Sequence, residues 1–261
     1  MLLWVTLKEA VRIERRRSGS VAEQFPETSW TLLAKAREQS DQGAGAREDL
    51  AQRYHRPVQQ FLLLLVQDGE QAQDLAQEFF TRLSGPGGLL ERARPGKGAF
   101  RDYLRESLRN LVRDYYRHNR AQALQMHPDQ ASAGGWDLVE LPGYPAAEAA
   151  FHHEWVKVTL AEALNRVRAL CLKRNLQVHL DLFEARYLSE AEFAPSWAEL
   201  GTRYSMDQKA ARDRADTVAR HFRLVLRRML RNEITVPGGS GRVTEAVIDA
   251  EIKALLSPLR E

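Results

Sequence analysis

Apolar residues recur along this chain at intervals of three and four positions, and no stretch alternates apolar with polar residues as a half-buried strand would. A helix with one buried stripe has that period, so the pattern predicts an all-α protein. Serine, threonine or aspartate precedes several of these segments and can cap the helices. The predicted helices run from residue 28 or 29 to about 42, and over about 46–66, 70–83, 99–125, 147–173, 178–187, 197–204, 207–231 and 244–256.

Glycine and proline mark the expected interruptions. Gly43 and Gly45 are predicted to end the first helix, and Pro57 is predicted to kink or interrupt the second. Breaker-rich segments at 84–88 and 95–98 predict a loop between the third and fourth helices, with at most a short helical turn between the two segments.

One long stretch, residues 127–146, is rich in glycine, proline, alanine and aspartate and shows no period. It is longer than the usual connection within a compact domain, so we interpret it as a flexible interdomain linker. The sequence therefore predicts two helical domains. The predicted divisions are an N-terminal arm over 1–24, a first domain over 25–126, the linker over 127–146, a second domain over 147–235 and a C-terminal tail helix over 236–261.

The composition is ordinary and supplies enough apolar material for a core, since 44% of the 261 residues are hydrophobic and 28% are charged. The single cysteine, Cys171, lies in an apolar helical context, so we expect a buried thiol and a reducing compartment. No apolar run approaches the roughly 18 residues of a membrane span. Residues 1–5 are apolar and precede the arginines at 15–17, an order opposite to that of a signal peptide, so we expect a cytoplasmic protein.

Polar residues gather on one face of the third predicted helix. Asp74, Gln77 and Glu78 are three or four positions apart and therefore share a face. Leu75 and Phe79 belong to the apolar stripe of the same helix. From the spacing alone, a solvated acidic surface is the favoured interpretation.

Arginine recurs at every fourth position along the fourth predicted helix. The apolar residues form a separate face that can be buried, which allows the guanidinium groups to meet phosphates. Aromatic rings on the same helix suit stacking on unpaired bases. The spacing favours equally a solvated helix whose arginines pair with Asp102, Glu106 and Asp114. The arginines are Arg101, Arg105, Arg109, Arg113 and Arg117, followed by Arg120, and the rings are those of Tyr103, Tyr115, Tyr116 and His118.

Residues 196–207 predict a helix, a turn and the start of another helix, with Ser196 and Asp207 as N-caps. The following helix has a continuous apolar stripe and a separate face of arginines, so the arrangement is a degenerate helix-turn-helix. The stripe is Ala211, Ala215, Val218, Phe222, Val225 and Met229, and the arginines are Arg220, Arg223, Arg227 and Arg231.

These segments together resemble bacterial RNA polymerase sigma factors of the extracytoplasmic-function (ECF) type over about residues 25–256. The acidic helix matches that family's polymerase-docking motif over residues 74–79, and the arginine helix matches the pattern Phe-Arg-x-x-Leu-x-x-x-Leu-Arg-Asn over residues 100–110. The chain also resembles a subgroup of sigma-like proteins that carry a C-terminal tail. The subgroup's opening motif is matched, with one residue's shift, by Phe25, Pro26, Thr28 and Trp30.

The resemblance implies roles for particular residues of the first domain. In that family the acidic helix docks on the clamp helices of the polymerase's largest subunit, which implies a polymerase-binding set of Asp74, Gln77 and Glu78. The arginine helix recognises and helps to melt the promoter's minus-ten element, and the loop over 84–98 helps to hold a flipped base. The implied DNA-binding residues are Lys97, which would contact phosphate, with Arg101, Arg109, Asn110, Arg113, Tyr116, Arg117 and Arg120.

The second domain resembles sigma region four, which reads the minus-thirty-five element in the major groove and engages the polymerase flap. By this likeness Arg212 and Arg214 would bind phosphate. The resemblance implies an initiation factor that performs no covalent chemistry and uses no cofactor or metal. It is compatible with an anti-sigma factor as a further partner.

One departure from the family keeps other functions open. Relatives usually carry a basic or His-Arg pair in the middle of the recognition helix, whereas this chain carries Asp213 and Asp216, which disfavour approach to a polyanion. A sigma-like regulator that binds polymerase or another partner without reading promoters is therefore an alternative. A helical enzyme that uses His179, Asp181 and Glu184 is a third, although the sequence has no Walker, CxxC or HExxH motif.

Overall fold

The computed structural model of the protein describes Leu7 and residues 29–94, 99–126, 143–189, 194–233 and 244–256. All regular secondary structure in these ranges is α-helical, which confirms the predicted all-α class. None of the helices described is long and apolar enough to cross a membrane. The helices are α1 (Ser29–Ala36), α2 (Asp41–Val66), α3 (Gly69–Ser84), α4 (Leu89–Arg92), α5 (Phe100–Met126), α6 (Tyr144–Lys173), α7 (Gln177–Tyr187), α8 (Trp197–Arg203), α9 (Gln208–Glu233) and α10 (Glu245–Leu256).

Several sequence predictions lie outside the described residues. The described residues include Leu7 but no other residue of the N-terminal arm, and they do not include the linker as far as residue 142. The side chains of Trp30 and Arg120 are also outside the description, although both residues lie in helices. The remaining predictions of this kind concern Phe25, Pro26, Thr28, Lys97 and the tail over 236–243 and 257–261.

The described helices form two compact units. The first contains α1 to α5 and the part of α6 that ends at Trp155, and the second contains α6 from Val156, then α7 to α10. The division between the units therefore falls inside α6, whereas the sequence pattern placed the boundary in the glycine-rich and proline-rich stretch before this helix. Residues 144–155 are part of the first unit. The roles that the resemblance implies for the two predicted domains stay predictions.

Helix α2 begins earlier than its glycines suggested. Gly43 and Gly45 lie inside the helix, because the chain turns before them and Ser40 caps α2 by accepting a hydrogen bond from the backbone N–H of Gly43 at 3.1 Å. A Cβ on Gly43 would stand 2.0 Å from the carbonyl oxygen of Glu38. The prediction that these glycines end the first helix is therefore wrong, since Gly43 serves instead to bring α2 close to the preceding turn.

Pro57 lies within α2, and the helix continues through it from Asp41 to Val66. The expected interruption is therefore absent. Proline removes one backbone hydrogen bond from a helix interior. Its ring is buried here, next to Val58 and the fully buried Phe61, so tertiary packing offsets that loss.

Both ends of α3 and the loop after it lie where the sequence predicts them. Asp68 caps α3 by accepting hydrogen bonds from the N–H groups of Glu70 and Gln71 at 2.9 and 3.0 Å. Gly85 follows the last residue of α3, and Gly87 adopts a positive φ of 64°, a conformation that glycine tolerates best. The predicted short helical turn within the loop is α4.

Aromatic residues from three helices meet in the core of the first unit. Phe61 of α2 makes edge-on ring contacts with Tyr144 and Phe151 of α6, whose centroids lie 6.2 and 6.3 Å away. Tyr54 makes a similar contact with Phe100 of α5 at 5.6 Å. Residues 144–155 therefore complete this core. The residues of α5 that are buried in the core are Phe100, Leu104, Leu108, Leu111 and Val112, whereas Tyr115, which the sequence also allows on this face, is only half-buried.

The second unit follows the predicted pattern closely. Cys171 is fully buried, as expected, and burial raises the pKa of its thiol. Ser196 and Glu199 form a reciprocal capping box at the start of α8, and Asp207 accepts a hydrogen bond from the N–H of Ala210 at 2.7 Å at the start of α9. Five of the six predicted stripe residues of α9 are buried, namely Ala211, Ala215, Val218, Phe222 and Met229.

Candidate functional site

Helix α3 separates its polar and apolar residues as the sequence predicts. Leu75 and Phe79 are buried, which directs the opposite face of the helix to solvent. Asp74, Gln77 and Glu78 are all exposed on α3. The structure therefore brings the predicted polymerase-binding side chains together on one accessible surface, which we call the α3 face.

The charges of the α3 face are only partly neutralised within the protein. Glu78 forms an ion pair with Arg82 one turn further along the helix, and both side chains are well exposed. Asp74 has no ion pair or side-chain hydrogen bond among the described residues. Exposed pairs of this kind contribute little to stability, so a partner could exchange them at low cost.

The first half of α5 is directed at the protein itself. The guanidinium of Arg101 lies over the ring of Trp155 at 4.4 Å from the centroid, and its side chain is only 15% exposed. Arg109 lies over the ring of Tyr144 at 5.2 Å. These cation–π contacts involve residues of α6 that are themselves buried.

One carboxylate of α6 joins two of the arginines. Glu148 lies 3.1 Å from Arg105 and 3.3 Å from Arg109, and its side chain is 20% exposed. The hydroxyl of Tyr144 donates a hydrogen bond to the same carboxylate at 2.8 Å. Arg105 also pairs with Asp102 at 2.9 Å. All three carboxylates that the sequence offered as partners are used, because Arg105 pairs with Asp102, Arg109 with Glu106 and Arg117 with Asp114. In this half of the helix Glu148 of α6 is an additional partner.

The predicted DNA role of Arg101 and Arg109 stays a prediction, and the structure gives both residues contacts with their own chain. Sequence reasoning missed Glu148 and Trp155 as their partners. Arg109 and Glu148 are 39 positions apart, and the stretch between them was interpreted as a linker. No local spacing rule could have joined them.

The second half of α5 presents its polar side chains to solvent. Asn110 and Arg113 are exposed and hydrogen-bond to each other at 3.0 Å. Arg117 is 77% exposed and pairs with Asp114 at 2.8 Å. Such exposed pairs within one helix are weak, so these guanidinium groups remain available to a polyanion. We call Asn110, Arg113 and Arg117 the α5 surface.

The aromatic residues beside the α5 surface are anchored to the protein. Tyr116 donates a hydrogen bond from its hydroxyl to the carbonyl oxygen of Leu65 at 2.7 Å, and burial raises the pKa of this phenol. Tyr115 donates to the side-chain oxygen of Gln71. Both rings are half-buried and meet edge-on at 5.3 Å. Each phenol thus has its polar end fixed toward α2 or α3.

Of the two predicted phosphate contacts in the second unit, the structure leaves one exposed to solvent. Arg212 is 66% exposed and lies 3.8 Å from Asp216, so one of the unfavourable aspartates has a basic neighbour. Arg214 is half-buried, and its Nη1 lies 3.3 Å from the sulfur of Met206. Asp213 is exposed. The acidic character of the middle of α9 is therefore only partly compensated.

The side chains of the proposed enzymatic group each engage other partners. Asp181 accepts a hydrogen bond from Gln177 at 2.7 Å, and Glu184 pairs with Arg168 at 2.7 Å. The pKa of His179 is lowered by burial and by neighbouring positive charge. In the ranges that the structure describes, no group of three His, Cys, Asp or Glu side chains could hold a metal ion.

Comparison with known proteins gives one result for the segment that holds these surfaces. A family model described as sigma-70 region 2 matches residues 50–122, which is less than half of the chain. Searches of curated proteins and of solved structures returned no match. The matched segment contains both the α3 face and the α5 surface. The match supports a sigma factor of the sigma-70 family, a class of non-enzymatic initiation factors that bind RNA polymerase.

Proposed function

We propose that this protein is an ECF-type sigma factor that binds core RNA polymerase and directs transcription from specific promoters. The observation that carries the proposal is the position of the two accessible surfaces within residues 50–122, the segment that matches sigma-70 region 2. We place the protein in the cytoplasm and assign it no cofactor. Its contribution is to position the polymerase and to capture an opened strand.

The α3 face is the proposed contact with the clamp helices of the polymerase's largest subunit. Its support is the exposure of Asp74, Gln77 and Glu78 beside a fully packed apolar stripe. Because the stripe already has its partners in the core, the polar side chains are not needed for the fold of the helix. A charged face that the fold does not use can be devoted to a partner.

The α5 surface is the proposed contact with the minus-ten element. Asn110, Arg113 and Arg117 are exposed, whereas the arginines of the first half of α5 are engaged by α6. We therefore restrict the proposed phosphate contacts to the second half of the helix, together with Arg120 and with Lys97 of the loop. Tyr116 would act mainly through its ring, because its hydroxyl is hydrogen-bonded to the protein.

The second unit is the proposed contact with upstream DNA and the polymerase flap. The capped helix-turn-helix of α8 and α9 and the exposure of Arg212 support this role. Asp213 and Asp216 support the alternative, in which the chain is a sigma-like regulator that binds polymerase or another partner without reading promoters. An anti-sigma partner is compatible with either proposal.

Transcription with purified core polymerase tests the proposal. The full-length protein, core polymerase and genomic DNA fragments are combined, and the transcripts are sequenced. We expect a defined set of start sites that depends on the added protein. Core binding without such start sites would favour the regulator, and the absence of both would reject the sigma factor role.

A charge-reversal pair tests the α3 face. Replacing Asp74 and Glu78 with lysine should lower the affinity for core polymerase at least tenfold while helicity is retained, because both carboxylates would face a partner of complementary charge. The control is Glu48→Lys, an equally exposed change on α2 at a residue that contacts only Gln52 among the hydrogen bonds described. Equal affinities for all variants would contradict the docking assignment.

The salt dependence of DNA binding tests the α5 surface. Each phosphate contact contributes about −0.9 to the slope of log K against log salt, so replacing Arg113 and Arg117 with alanine should make the slope shallower by nearly two. The control is Arg56→Ala, since Arg56 lies outside both surfaces and is 3.7 Å from Glu154. A slope that is the same in all three proteins would remove the α5 surface from the interface.

A further inference from the structure

Two side chains, one from the turn after α1 and one from α5, hold the loop between α3 and α5. Arg37, directly after α1, donates a hydrogen bond from Nε to the carbonyl oxygen of Leu90 at 2.9 Å and another from Nη2 to the carbonyl oxygen of Ala93. Tyr103 of α5 donates from its hydroxyl to the carbonyl oxygen of Leu89 at 3.0 Å. These contacts all converge on the short helix α4 and the residue that follows it.

These hydrogen bonds compensate for the shortness of α4. A helix of four residues leaves its carbonyl groups almost without internal partners and is too short to be stable alone. A guanidinium at the C-terminal end of a helix satisfies these carbonyls and also interacts favourably with the helix dipole. The conformation of α4 therefore depends on Arg37 and Tyr103 as well as on its own backbone hydrogen bonds.

The arginine that holds α4 is itself held. Arg47 of α2 donates from Nη1 to the carbonyl oxygens of Ala36 and Glu38 at 2.8 and 3.1 Å, one on each side of Arg37. Gly43 lets α2 approach this turn closely. A continuous set of contacts thus runs from α2, through the turn after α1, to the loop.

The loop also has contacts within itself that leave its glycines in a defined conformation. Glu91 accepts a hydrogen bond from the N–H of Gly87 at 3.1 Å, and Arg92 donates from Nε to the carbonyl oxygen of the same glycine at 2.8 Å. Gly87 is the residue with positive φ. The glycine turn is therefore attached to α4, and whatever fixes α4 also fixes the turn.

We propose that Arg37 is a positioning residue that holds residues 85–94 in the conformation in which this loop captures an unpaired promoter base. The inference rests on the proposed sigma factor function. It assigns a role to a residue that lies outside the matched segment 50–122. A preorganised loop does not have to be ordered when the base arrives, so the entropy cost of capture is lower.

The test uses the full-length protein with core polymerase on a promoter recovered in the transcription experiment, with a fluorescent base analogue in the minus-ten element. Arg37→Met removes both donors, and Tyr103→Phe removes a single hydroxyl with little risk to the fold. Arg56→Met is the matched control. We expect base unstacking to fall about tenfold for Arg37→Met and about fivefold for Tyr103→Phe, at unchanged core affinity.

Hydrogen exchange of residues 85–94 is measured on the same proteins. Faster exchange in both loop variants, together with less unstacking, would support the proposal, and Arg37→Lys should restore part of each signal because lysine can reach one carbonyl. Unchanged exchange or unchanged unstacking would overturn it. An equal loss of core affinity would also overturn it, since the effect would then be on the whole domain. If the wild-type protein opens no promoter, the sigma factor function fails first and the loop's role fails with it.

Discussion

The pairing of Glu148 with Arg105 and Arg109 is expected to stabilise the first unit to a measurable extent. Replacing Glu148 with glutamine keeps the shape of the side chain and removes its charge. The carboxylate lies 3.1 and 3.3 Å from the two guanidinium groups and is 20% exposed, so water screens these contacts only in part. The change leaves two partly buried cations without their shared anion.

The expected cost follows from opposing contributions. At an effective dielectric constant of about 20, each contact has about 5 kcal/mol of Coulomb energy. Desolvation of the three charged groups offsets most of this energy, and both arginines keep a second carboxylate on their own helix, in Asp102 and Glu106. We therefore expect the opening of α5 and residues 144–155 to become easier by about 2 kcal/mol.

Hydrogen exchange of the full-length protein provides the measurement. A change of about 2 kcal/mol should accelerate amide exchange in α5 and residues 144–155 about thirtyfold, while α8 and α9 exchange as before. Glu106→Gln is the matched control, because Glu106 is more exposed and pairs only with Arg109 among the contacts described. Its effect should be below about 0.5 kcal/mol. Equal exchange for the two variants would refute the view that residues 144–155 are an integral part of the first unit.

Three further changes test other parts of the structure. Trp155→Ala should lower the free energy of unfolding of the first unit by about 3–5 kcal/mol, measured by urea denaturation, because the ring is fully buried. Gly43→Ala should lower the free energy of unfolding, measured by thermal denaturation, by about 1–3 kcal/mol, because a Cβ there would stand 2.0 Å from a backbone oxygen. Gly45→Ala should be neutral or slightly stabilising, because a Cβ there meets nothing within 4 Å. Burial and nearby arginines lower the pKa of His221 from 6.5, so the unfolded chain binds a proton more readily than the folded protein. The free energy of unfolding should therefore fall as the pH drops below about 6.5, and it should fall less in His221→Gln. Urea midpoints measured at several pH values test this expectation.

The positions of the helices could be predicted from the sequence because the signals are local. The capping residues Ser196 and Asp207 and the period of the apolar residues act within a few positions of each other, and the helices they predict are present. The failure at Gly43 has a tertiary cause, whereas at Pro57 the structure shows only that the helix is not interrupted. At Gly43 the close approach of α2 to the preceding turn overrides the helix-breaking tendency of glycine.

The candidate surfaces were predicted in part. The α3 face follows directly from amphipathicity, because a buried stripe of Leu75 and Phe79 leaves the opposite side exposed. On α5 the same reasoning could separate the face that carries arginine from the face that carries leucine. It could not predict which of the arginines remain accessible to solvent. All five recur with one spacing, so nothing local distinguishes Arg101 from Arg117.

The sequence by itself determined that this protein is helical, where most of its helices lie and which faces of α3 and α5 are polar, since helix period and capping depend on neighbouring residues. Only the tertiary structure decided which polar side chains remain accessible. Glu148 and Trp155 engage the first half of α5, and Arg37 holds the loop before it, across separations of up to 56 positions. Such partners are brought together by burial of apolar surface in the whole unit, and that burial has no signature in a short window of sequence.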